Sequence, residues 1–539
     1  MPNQPKSLPL RTVGEWTVTT DRPYANPFAD VAVEGTFIGP SGRELTILAF
    51  YDGEGTWRVR FNPGEVGHWR YRLSARPHDP DFSQAGDFDV ERSENPEAEP
   101  REVRGFLRAT PGKAWGFHYQ SGEPFLALGD TTYNLFGMAH CGGDVDAFLE
   151  RRARQGFNLL RVRMSVSPFH PPEGYSEWQT RRTWPWGGSE QSPQFDRLNL
   201  DYFRTVDRVM RKAEELALGL EMIMEAWGFE FPFNRRDLFV PEWEELWMRY
   251  LIARYDAFNC VNFWTLMNEY EYYPNGDWRY NPVADRWAMR MARWVKRVAQ
   301  HSHIVSVHNG PREPAFALRF AADPTAIDAI MFQDWGTRDP EWGWLAAGIE
   351  DKIRDALQDW PGSAVFAEWG YERNPSLHLK VPAHRYCDAE HTRRGAWRGA
   401  FCAVGIIHGF DNTWGPFMRL DEDQPGLAYL LHLRRFFEMA PFCRLRKAPH
   451  LVVPGQYAGG HKPLALASSE GNLVTVYLPV GGEVELRLPK AIERYVARWF
   501  DPCTGELTAA KPQGPCFVAP EATQNGHPQD WVLLLETEG

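Results

Sequence analysis

The feature that most constrains the fold of this chain is a series of eight short apolar runs, which alternate with helical patterns between about residues 105 and 442. Each run has the length and apolar content of a buried strand. The predicted strands are Phe125–Asp130, Phe157–Met164, Leu218–Met224, Val261–Met267, Ile304–His308, Ile327–Phe332, Ala364–Ala367 and Val404–Phe410, and apolar residues at helical spacing lie between them over Leu200–Leu216, Trp243–Tyr255 and Trp287–Val298. Eight such units predict a closed parallel (β/α)8 barrel. An open doubly wound sheet is the alternative, but no Gly-X-Gly-X-X-Gly follows the first strand.

Short β-type runs separated by turn residues flank this central region on both sides. Alternating patterns such as Thr56–Phe61 and Gly67–Leu73 predict an antiparallel sandwich over residues 10–92, and the charged, proline-bearing stretch 89–101 is typical of a linker. Similar runs follow Pro441. The prediction is therefore an α/β protein with three domains: an N-terminal Ig-like β-sandwich (1–100), the barrel (101–442) and a C-terminal β-sandwich (443–539).

Charge and cysteine content narrow the class of protein. A net charge of −12 gives no global basic surface, so neither nucleic acid nor an anionic membrane is expected as a partner. The chain begins without a basic segment followed by an apolar one, and it contains no run of about 18 apolar residues. Its seven cysteines are odd in number and scattered. These observations favour a cytoplasmic protein with reduced thiols and no cofactor; whether it is a homo-oligomer stays open.

Two of the apolar runs end abruptly in a glutamate. Trp264-Thr-Leu-Met-Asn-Glu269 ends the fourth predicted strand, and Ala364-Val-Phe-Ala-Glu368 ends the seventh. Buried glutamates are costly unless paired, and the active sites of such barrels lie at the C-terminal ends of the strands. Cleavage of a glycosidic bond needs one carboxyl to protonate the leaving oxygen and another to attack or stabilise the sugar cation. Glu225, after the third strand, is another candidate for the second carboxyl, or a structural partner of an arginine.

Further polar and aromatic residues follow the predicted strands. Arg161 and Arg163 share one strand face, and we expect one of them to keep the attacking carboxylate ionised. Asp130 binds a substrate hydroxyl or caps a loop, and His308 is either a structural group or a ligand to substrate. The residues predicted to bind substrate are Asn268, Asp130, Arg163 and His308, with Trp227, Trp335, Trp369 and Trp414 as faces for sugar rings.

The paired glutamates resemble those of clan A, the superfamily of retaining glycoside hydrolases with catalytic Glu on strands four and seven. The resemblance implies that Glu269 is the acid/base, that Asn268 holds a sugar hydroxyl and that Glu368 is the nucleophile, with the carboxyls about 5 Å apart. More narrowly, Phe125-Leu-Ala-Leu-Gly-Asp-Thr-Thr-Tyr, Gly156-Phe-Asn-Leu-Leu-Arg-Val and Trp499-Phe-Asp-Pro-Cys-Thr-Gly-Glu resemble the apiosidase-like barrel family.

The chain departs from the clan A pattern at two points. Asn-Glu-Tyr stands where Asn-Glu-Pro is common, and Gln333-Asp-Trp stands where many members carry a tyrosine on strand six. The hydrogen-bond partner of the nucleophile is therefore left open.

The predicted function is a retaining glycoside hydrolase acting on small glycosides or oligosaccharides. An inverting glycosidase and a non-catalytic carbohydrate-binding protein with a decayed barrel are the alternatives. A metal-dependent barrel hydrolase would carry His-X-His on strand one, and a serine hydrolase would carry Gly-X-Ser-X-Gly; the sequence shows neither. No metal site is predicted.

Overall fold

The computed structural model of the protein describes most of the chain. The described residues are 4–93, 104–109, 116–165, 183–228, 230–277, 279–310, 319–334, 349–358, 360, 362–373, 387–414, 420–457, 460–524 and 526–537.

A seven-stranded sheet forms the N-terminal β-region. Its strands are β1 (Ser7–Pro9), β2 (Gly14–Thr19), β3 (Ala32–Ile38), β4 (Glu44–Gly53), β5 (Thr56–Phe61), β6 (Gly67–Arg76) and β7 (Gln84–Glu91), in the order β1-β7-β6-β3-β4-β5-β2. The sheet folds back on itself, since Trp16 of β2 packs 5.0 Å from Phe88 of β7 between ring centroids. Residues 89–91 of the expected linker are the end of β7, because Asp89 and Val90 pair with β6; residues 94–103 lie outside the described residues.

The central region is a closed parallel barrel of eight strands. These are β10 (Leu128–Thr131), β11 (Leu159–Arg163), β14 (Gly219–Trp227), β15 (Val261–Asn268), β16 (Ile304–His308), β17 (Ala329–Gln333), β18 (Ser363–Glu368) and β19 (Gly405–His408), and β19 pairs with β10 to close the ring. The predicted barrel is confirmed, and every predicted strand corresponds to one of its eight strands. The alternative of an open sheet is wrong.

Helices surround the barrel. They are α1 (Leu135–His140), α2 (Val145–Gln155), α3 (Leu200–Glu215), α4 (Pro241–Tyr255), α5 (Pro282–Val298), α6 (Ile349–Ala356), α7 (Ala389–Phe401), α8 (Asp411–Trp414) and α9 (Leu427–Met439). Local sequence sets their starts: the Asn199 side chain accepts a hydrogen bond from the backbone of Tyr202 at the start of α3, and Asn281 does the same for Val283 of α5. In the described residues, no helix is long and apolar enough to cross a lipid bilayer.

The N-terminal end of the barrel is plugged by the hairpin of β8 (Leu107–Ala109) and β9 (Phe117–Tyr119). Leu107 and Phe117 belong to the same apolar cluster as Phe263 and Ile304 of the barrel strands. Since this end is closed, the opposite end, where the strands finish, is the end that can receive a ligand. A second hairpin, β12 (Trp186–Ser189) and β13 (Ser192–Leu198), precedes α3.

The C-terminal β-region contains a six-stranded sheet and smaller pairs. Its strands are β20 (Leu445–Lys447), β21 (Leu464–Ser468), β22 (Leu473–Leu478), β23 (Glu483–Glu485), β24 (Tyr495–Phe500), β25 (Leu507–Ala509), β26 (Cys516–Val518), β27 (Thr523–Gln524), β28 (His527–Pro528) and β29 (Trp531–Thr537). The flanking β-rich regions predicted from sequence are confirmed.

Buried ion pairs join the β-regions to the barrel. Arg60 of β5 contacts Asp207 of α3 at 2.6 Å, and Arg254 of α4 contacts the same carboxylate at 2.9 Å. On the other side, Arg393 of α7 lies 2.8 Å from Asp530. Removing one partner of such a pair leaves an uncompensated buried charge, so the barrel depends on both β-regions for stability.

Candidate active site

Glu269 and Glu368 lie at the open mouth of the barrel. Glu368 is the last residue of β18, and Glu269 directly follows β15. Both are buried, with 4% and 7% of their surfaces exposed. Carboxyl groups this enclosed depend on specific neighbours, and the neighbours of the two groups are different.

Glu368 is held by two donors. Its Oε1 accepts a hydrogen bond of 2.7 Å from the Tyr133 hydroxyl and another of 2.7 Å from Nη1 of Arg161. The Tyr371 hydroxyl lies 3.4 Å from that of Tyr133. A guanidinium and a phenol hydroxyl on one oxygen stabilise the carboxylate form of Glu368 and fix its orientation.

Among the described residues, no Lys, Arg or His side chain lies within 4.0 Å of the carboxyl oxygens of Glu269. Its Oε1 accepts a hydrogen bond of 2.7 Å from Nε2 of Gln333, and in the part of the chain that the structure describes its buried Oε2 has no hydrogen-bond partner. Burial, and then the negative charge of Glu368, raise the pKa of Glu269 to about 8. The side chain is therefore predominantly protonated near neutral pH, and Oε2 is the oxygen free to carry and donate the proton.

The backbone that carries Glu269 is strained and clamped. Glu269 has φ 51°, a left-handed conformation that is uncommon outside glycine. Two residues later, Glu271 accepts hydrogen bonds from the Gly310 backbone at 2.8 Å and from Arg319 at 2.9 Å. Gln333 also donates to the carbonyl of Asn309 at 2.9 Å. The same loop thus anchors both the backbone of Glu269 and the donor to its side chain.

Asn268 connects the two carboxyl groups. Its Oδ1 accepts a hydrogen bond from Nη2 of Arg161, the residue that also holds Glu368. Its buried Nδ2 has no partner among the described residues. This N–H donor at the mouth is suited to a hydroxyl of a bound ligand.

The two arginines of β11 have separate roles. Arg161 reaches Glu368 and Asn268, and its Nε lies 3.4 Å from the carboxylate of Glu221 below. Arg163, which we expected to bind substrate, instead lies with its guanidinium carbon 3.7 Å from the ring centroids of both Tyr133 and Trp227. It is 1% exposed and supports the rings of Tyr133 and Trp227.

Two further candidates from the sequence, Asp130 and Glu225, are held in buried ion pairs with arginines. Asp130 is fully buried, 2.8 Å from Arg152 and 2.9 Å from the Thr413 hydroxyl that donates to it, so it braces the barrel wall. Glu225 forms an ion pair with Arg236 at 2.6 Å, and among the described residues it forms none with Arg161 or Arg163.

His308 does lie at the site, 3.6 Å from Oε1 of Glu368 through Nε2. Burial, followed by the charges of Arg161 and Arg163, holds its pKa well below the ordinary value, so the ring is neutral. In the described residues neither ring nitrogen has a hydrogen-bond partner.

Two of the predicted sugar-binding tryptophans, Trp227 and Trp414, lie together beside Tyr133. Trp227 packs against Tyr133 and Ile223, with the half-buried Trp414 beside them, and Trp414 lies 4.9 Å from the Tyr371 ring. These rings line the mouth. Trp369 is 1% exposed and stacks on His408 at 4.4 Å behind the strand, which differs from the expected platform. Trp335 lies outside the described residues.

Sequence reasoning missed the residue that completes the site, Tyr133. It follows β10 by two positions and donates a hydrogen bond to Glu368, a role expected of a tyrosine on strand six. Gln333, which stands at the end of strand six, serves Glu269 instead. Tyr133 lies three residues beyond the end of the predicted strand Phe125–Asp130, so a window of three residues after that strand includes it. In the described ranges no set of three or more His, Cys, Asp or Glu side chains is arranged to hold a metal ion.

Three sequence families match successive parts of the chain. The model described as "Apiosidase-like, catalytic domain" matches residues 114–441, well over half of the chain. The domain of unknown function DUF5060 matches residues 12–76, and "Putative collagen-binding domain of a collagenase" matches residues 449–536. No match was found among the curated proteins.

Solved structures share this architecture. One of Bacteroides vulgatus, described as "a putative glycoside hydrolase", has a TM-score of 0.71 at 16% identity and covers 99% of this chain and 100% of its own. A glycoside hydrolase family 5 protein of Bacteroides vulgatus has a TM-score of 0.60 at 16% identity, with 80% and 93% covered. A third, described as "Glycoside hydrolase", has a TM-score of 0.59 at 17% identity, with 80% and 97% covered. Identity this low shows a shared fold.

Proposed function

The chain belongs to the apiosidase-like family of glycoside hydrolase catalytic domains, and we propose that it cleaves the O-glycosidic bond of small glycosides or short oligosaccharides with retention of configuration. In this proposal Glu368 is the nucleophile and Glu269 is the acid/base. A retaining enzyme needs one carboxyl ionised and the other protonated before the reaction begins.

The observation that carries the proposal is the difference between the surroundings of the two carboxyls. Arg161 and Tyr133 stabilise a carboxylate at Glu368. Burial and the charge of Glu368 raise the pKa of Glu269 to about 8. This difference in surroundings supports an assignment of the two carboxyls as an acid and a nucleophile.

The first half-reaction transfers the sugar to the protein. An oxygen of Glu368 attacks the anomeric carbon and forms an ester bond, while the bond from that carbon to the leaving oxygen breaks. Glu269 donates the proton on Oε2 to the leaving oxygen, so the aglycone departs as a neutral alcohol and Glu269 becomes a carboxylate.

The second half-reaction restores the protein. Glu368 has lost its charge in the ester, and because that charge helps to raise the pKa of Glu269, the pKa of Glu269 falls. Glu269 then accepts a proton from water as the water oxygen attacks the anomeric carbon and Glu368 leaves as a carboxylate. Each glutamate returns to its starting protonation state.

The aromatic wall supports a carbohydrate as substrate. Tyr133 and Trp227, with Trp414 and Tyr371 beside them, present rings next to the carboxyl groups. Apolar faces of sugar rings pack on such surfaces, and the free N–H of Asn268 is available for a ring hydroxyl.

A panel of aryl glycosides that includes pentosides, hexosides and apiosides tests the proposal. We expect hydrolysis of at least one member, with the first-formed anomer, followed by proton NMR, matching that of the substrate. Glu368→Gln should lower kcat by at least 1,000-fold. Inversion of the anomer would replace the retaining mechanism with an inverting one, and sugar binding without hydrolysis of any member would support a non-catalytic protein.

Chemical rescue separates the two glutamates. In Glu269→Ala, substrates with a good leaving group should still form the ester, and added azide should attack it and restore turnover as a glycosyl azide of unchanged configuration. Glu368→Ala should not be rescued in this way, because no ester forms. The reverse pattern would exchange the two roles.

We also propose a reducing compartment, consistent with the cytoplasm. The seven cysteines are odd in number and scattered along the chain, and Cys443 is an exposed thiol. Fractionation of the native source followed by immunodetection tests this location, and recovery from the medium would contradict it.

A further inference from the structure

A cavity of about 150 Å³ lies between the N-terminal β-region and the closed end of the barrel. Three arginines line it: Arg11 after β1, Arg43 before β4 and Arg108 in β8. Residues 300–302, which precede β16, complete the wall. Because β16 starts here and ends at His308 beside Glu368, the cavity is at the opposite end of the barrel from the paired glutamates.

The positive charges of this cavity are not matched by ion pairs. In the part of the chain that the structure describes, none of the three arginines contacts a carboxylate within 4.0 Å. Nη1 of Arg108 donates to the carbonyls of Leu107 and Ser302, each at 2.9 Å. Arg11 donates to the Gln120 side chain, and its buried Nε has no acceptor. Neutral oxygens hold these guanidinium groups without neutralising their charge.

The three cations also repel one another. Burial, and then the charge of Arg11, lower the pKa of Arg108 to about 10, with Arg43 acting in the same direction. Asp256 and Asp328 act the other way from beneath the cavity. Arg108 stays protonated at neutral pH, and because its pKa remains lowered despite the two aspartates, a bound anion would stabilise its charge further.

Two wall residues adopt a backbone conformation that is uncommon outside glycine. Arg11 has φ 56° and Ser302 has φ 58°. Such conformations persist only where the surroundings impose them, and they concentrate at binding sites. Here they turn the Arg11 guanidinium and the Ser302 carbonyl that holds Arg108 towards the same cavity wall.

One acidic side chain lines the cavity and limits its charge. Glu65 accepts hydrogen bonds from the backbone and hydroxyl of Ser41, at 3.1 and 2.8 Å. The three arginines and one glutamate that line the cavity leave a surplus of two positive charges.

We propose that the cavity is a binding site for a doubly charged tetrahedral oxyanion, namely phosphate, either free or as the phosphoryl group of a small metabolite. Planar guanidinium groups are the preferred partners of phosphate oxygens.

Calorimetric titration of the full chain with inorganic phosphate, at constant ionic strength set by chloride, tests the site. We expect saturable binding of one ion, weakened at least tenfold in Arg108→Gln and in Arg11→Gln. Glu65→Gln should bind severalfold more tightly, because it removes the opposing charge. Arg70→Gln is the matched control, since Arg70 is an exposed arginine next to Trp69 on the opposite face of β6, and its affinity should equal that of the wild type.

A second titration with glucose 6-phosphate distinguishes the two sources of the oxyanion. Affinity above that of inorganic phosphate identifies a phosphorylated metabolite, and equal or lower affinity identifies the free ion.

Absence of saturable binding to either probe, or equal affinities of Arg108→Gln and Arg70→Gln, would overturn the proposal. If Arg108→Gln does not fold, Arg43→Gln replaces it, because Arg43 is exposed and its hydrogen bonds to Gly39 and Ser41 are made by its backbone, which the substitution keeps. No glycoside is present, so failure here leaves the proposed catalysis unaffected.

Discussion

Replacing Glu269 by glutamine should stabilise the protein at alkaline pH and leave its stability nearly unchanged at pH 5. Burial, and then the charge of Glu368, raise the pKa of Glu269 from 4.5 to about 8. Between about pH 4.5 and pH 8 the folded state therefore binds a proton at Glu269 more tightly than the unfolded chain does. The resulting penalty on folding is absent below about pH 4.5, grows as the pH rises, and is complete above about pH 8.

The size of the effect follows from the shift in pKa. From 4.5 to about 8, at about 1.4 kcal/mol per unit, the upper bound is about 5 kcal/mol. Relaxation around the charged form reduces this value, so we expect Glu269→Gln to gain roughly 2–5 kcal/mol over the wild type at pH 9. Glutamine is close in shape to the protonated side chain and keeps an oxygen for the donor Gln333.

Urea unfolding at pH 5, 7 and 9, followed by tryptophan fluorescence, measures the free energy of unfolding of the wild type and the variant. Effects of pH on the rest of the chain cancel in the difference. Glu245→Gln is the control, because Glu245 is exposed on α4, and its difference from the wild type should not change with pH.

The reasoning is refuted if the difference between Glu269→Gln and the wild type is the same at all three pH values, or if the wild type is the more stable protein at pH 9. The first result would mean that Glu269 ionises in the folded protein as it does in the unfolded chain, and the second that folding stabilises its ionised form. In a Glu368→Gln background the gain should be smaller, since the charge of Glu368 is the second cause of the raised pKa.

Three other substitutions give separate tests. Tyr133→Phe removes the hydroxyl that donates to Glu368 and should lower kcat about ten- to hundredfold with little change in KM; a change confined to KM would contradict this role. Gln333→Met removes a hydrogen bond that favours ionised Glu269, so the alkaline limb of the kcat/KM profile should move up by about one pH unit, and a downward shift would argue against it. Asp207→Asn removes the carboxylate that Arg60 and Arg254 share, and because Glu15 and Asp52 still pair with these arginines, urea unfolding should show a loss of about 3 kcal/mol; a loss below 1 kcal/mol would mean that the interface does not depend on this ion pair.

Most of the barrel could be predicted from the sequence because each of its strands is marked by a local apolar run. Runs such as Val261–Met267 and Ile304–His308 are apolar on both faces, as strands enclosed by a barrel core and a ring of helices must be. The same signal locates Glu269 and Glu368 at the strand ends. The apolar runs do not mark the boundary of β7. Residues 89–91 read as part of a charged linker, but Asp89 and Val90 pair with β6 through their backbone.

The side-chain contacts within the site were less predictable. Period-two alternation places Arg161 and Arg163 on one face of β11 but does not give their depth in the barrel. Asp130 has the sequence position of a ligand to substrate, yet its carboxylate meets Arg152 of α2. Trp369 directly follows Glu368 and stacks on His408.

By itself, the sequence determined the barrel, the β-rich regions on either side and the pair of glutamates at its mouth, because periodicity and the ends of apolar runs are local properties of a chain. Tertiary structure alone decided that Arg161 and Tyr133 hold Glu368 while Gln333 holds Glu269. These contacts join residues 64 to 235 positions apart. They depend on the tilt and stagger of neighbouring strands around the closed barrel, which no single segment encodes.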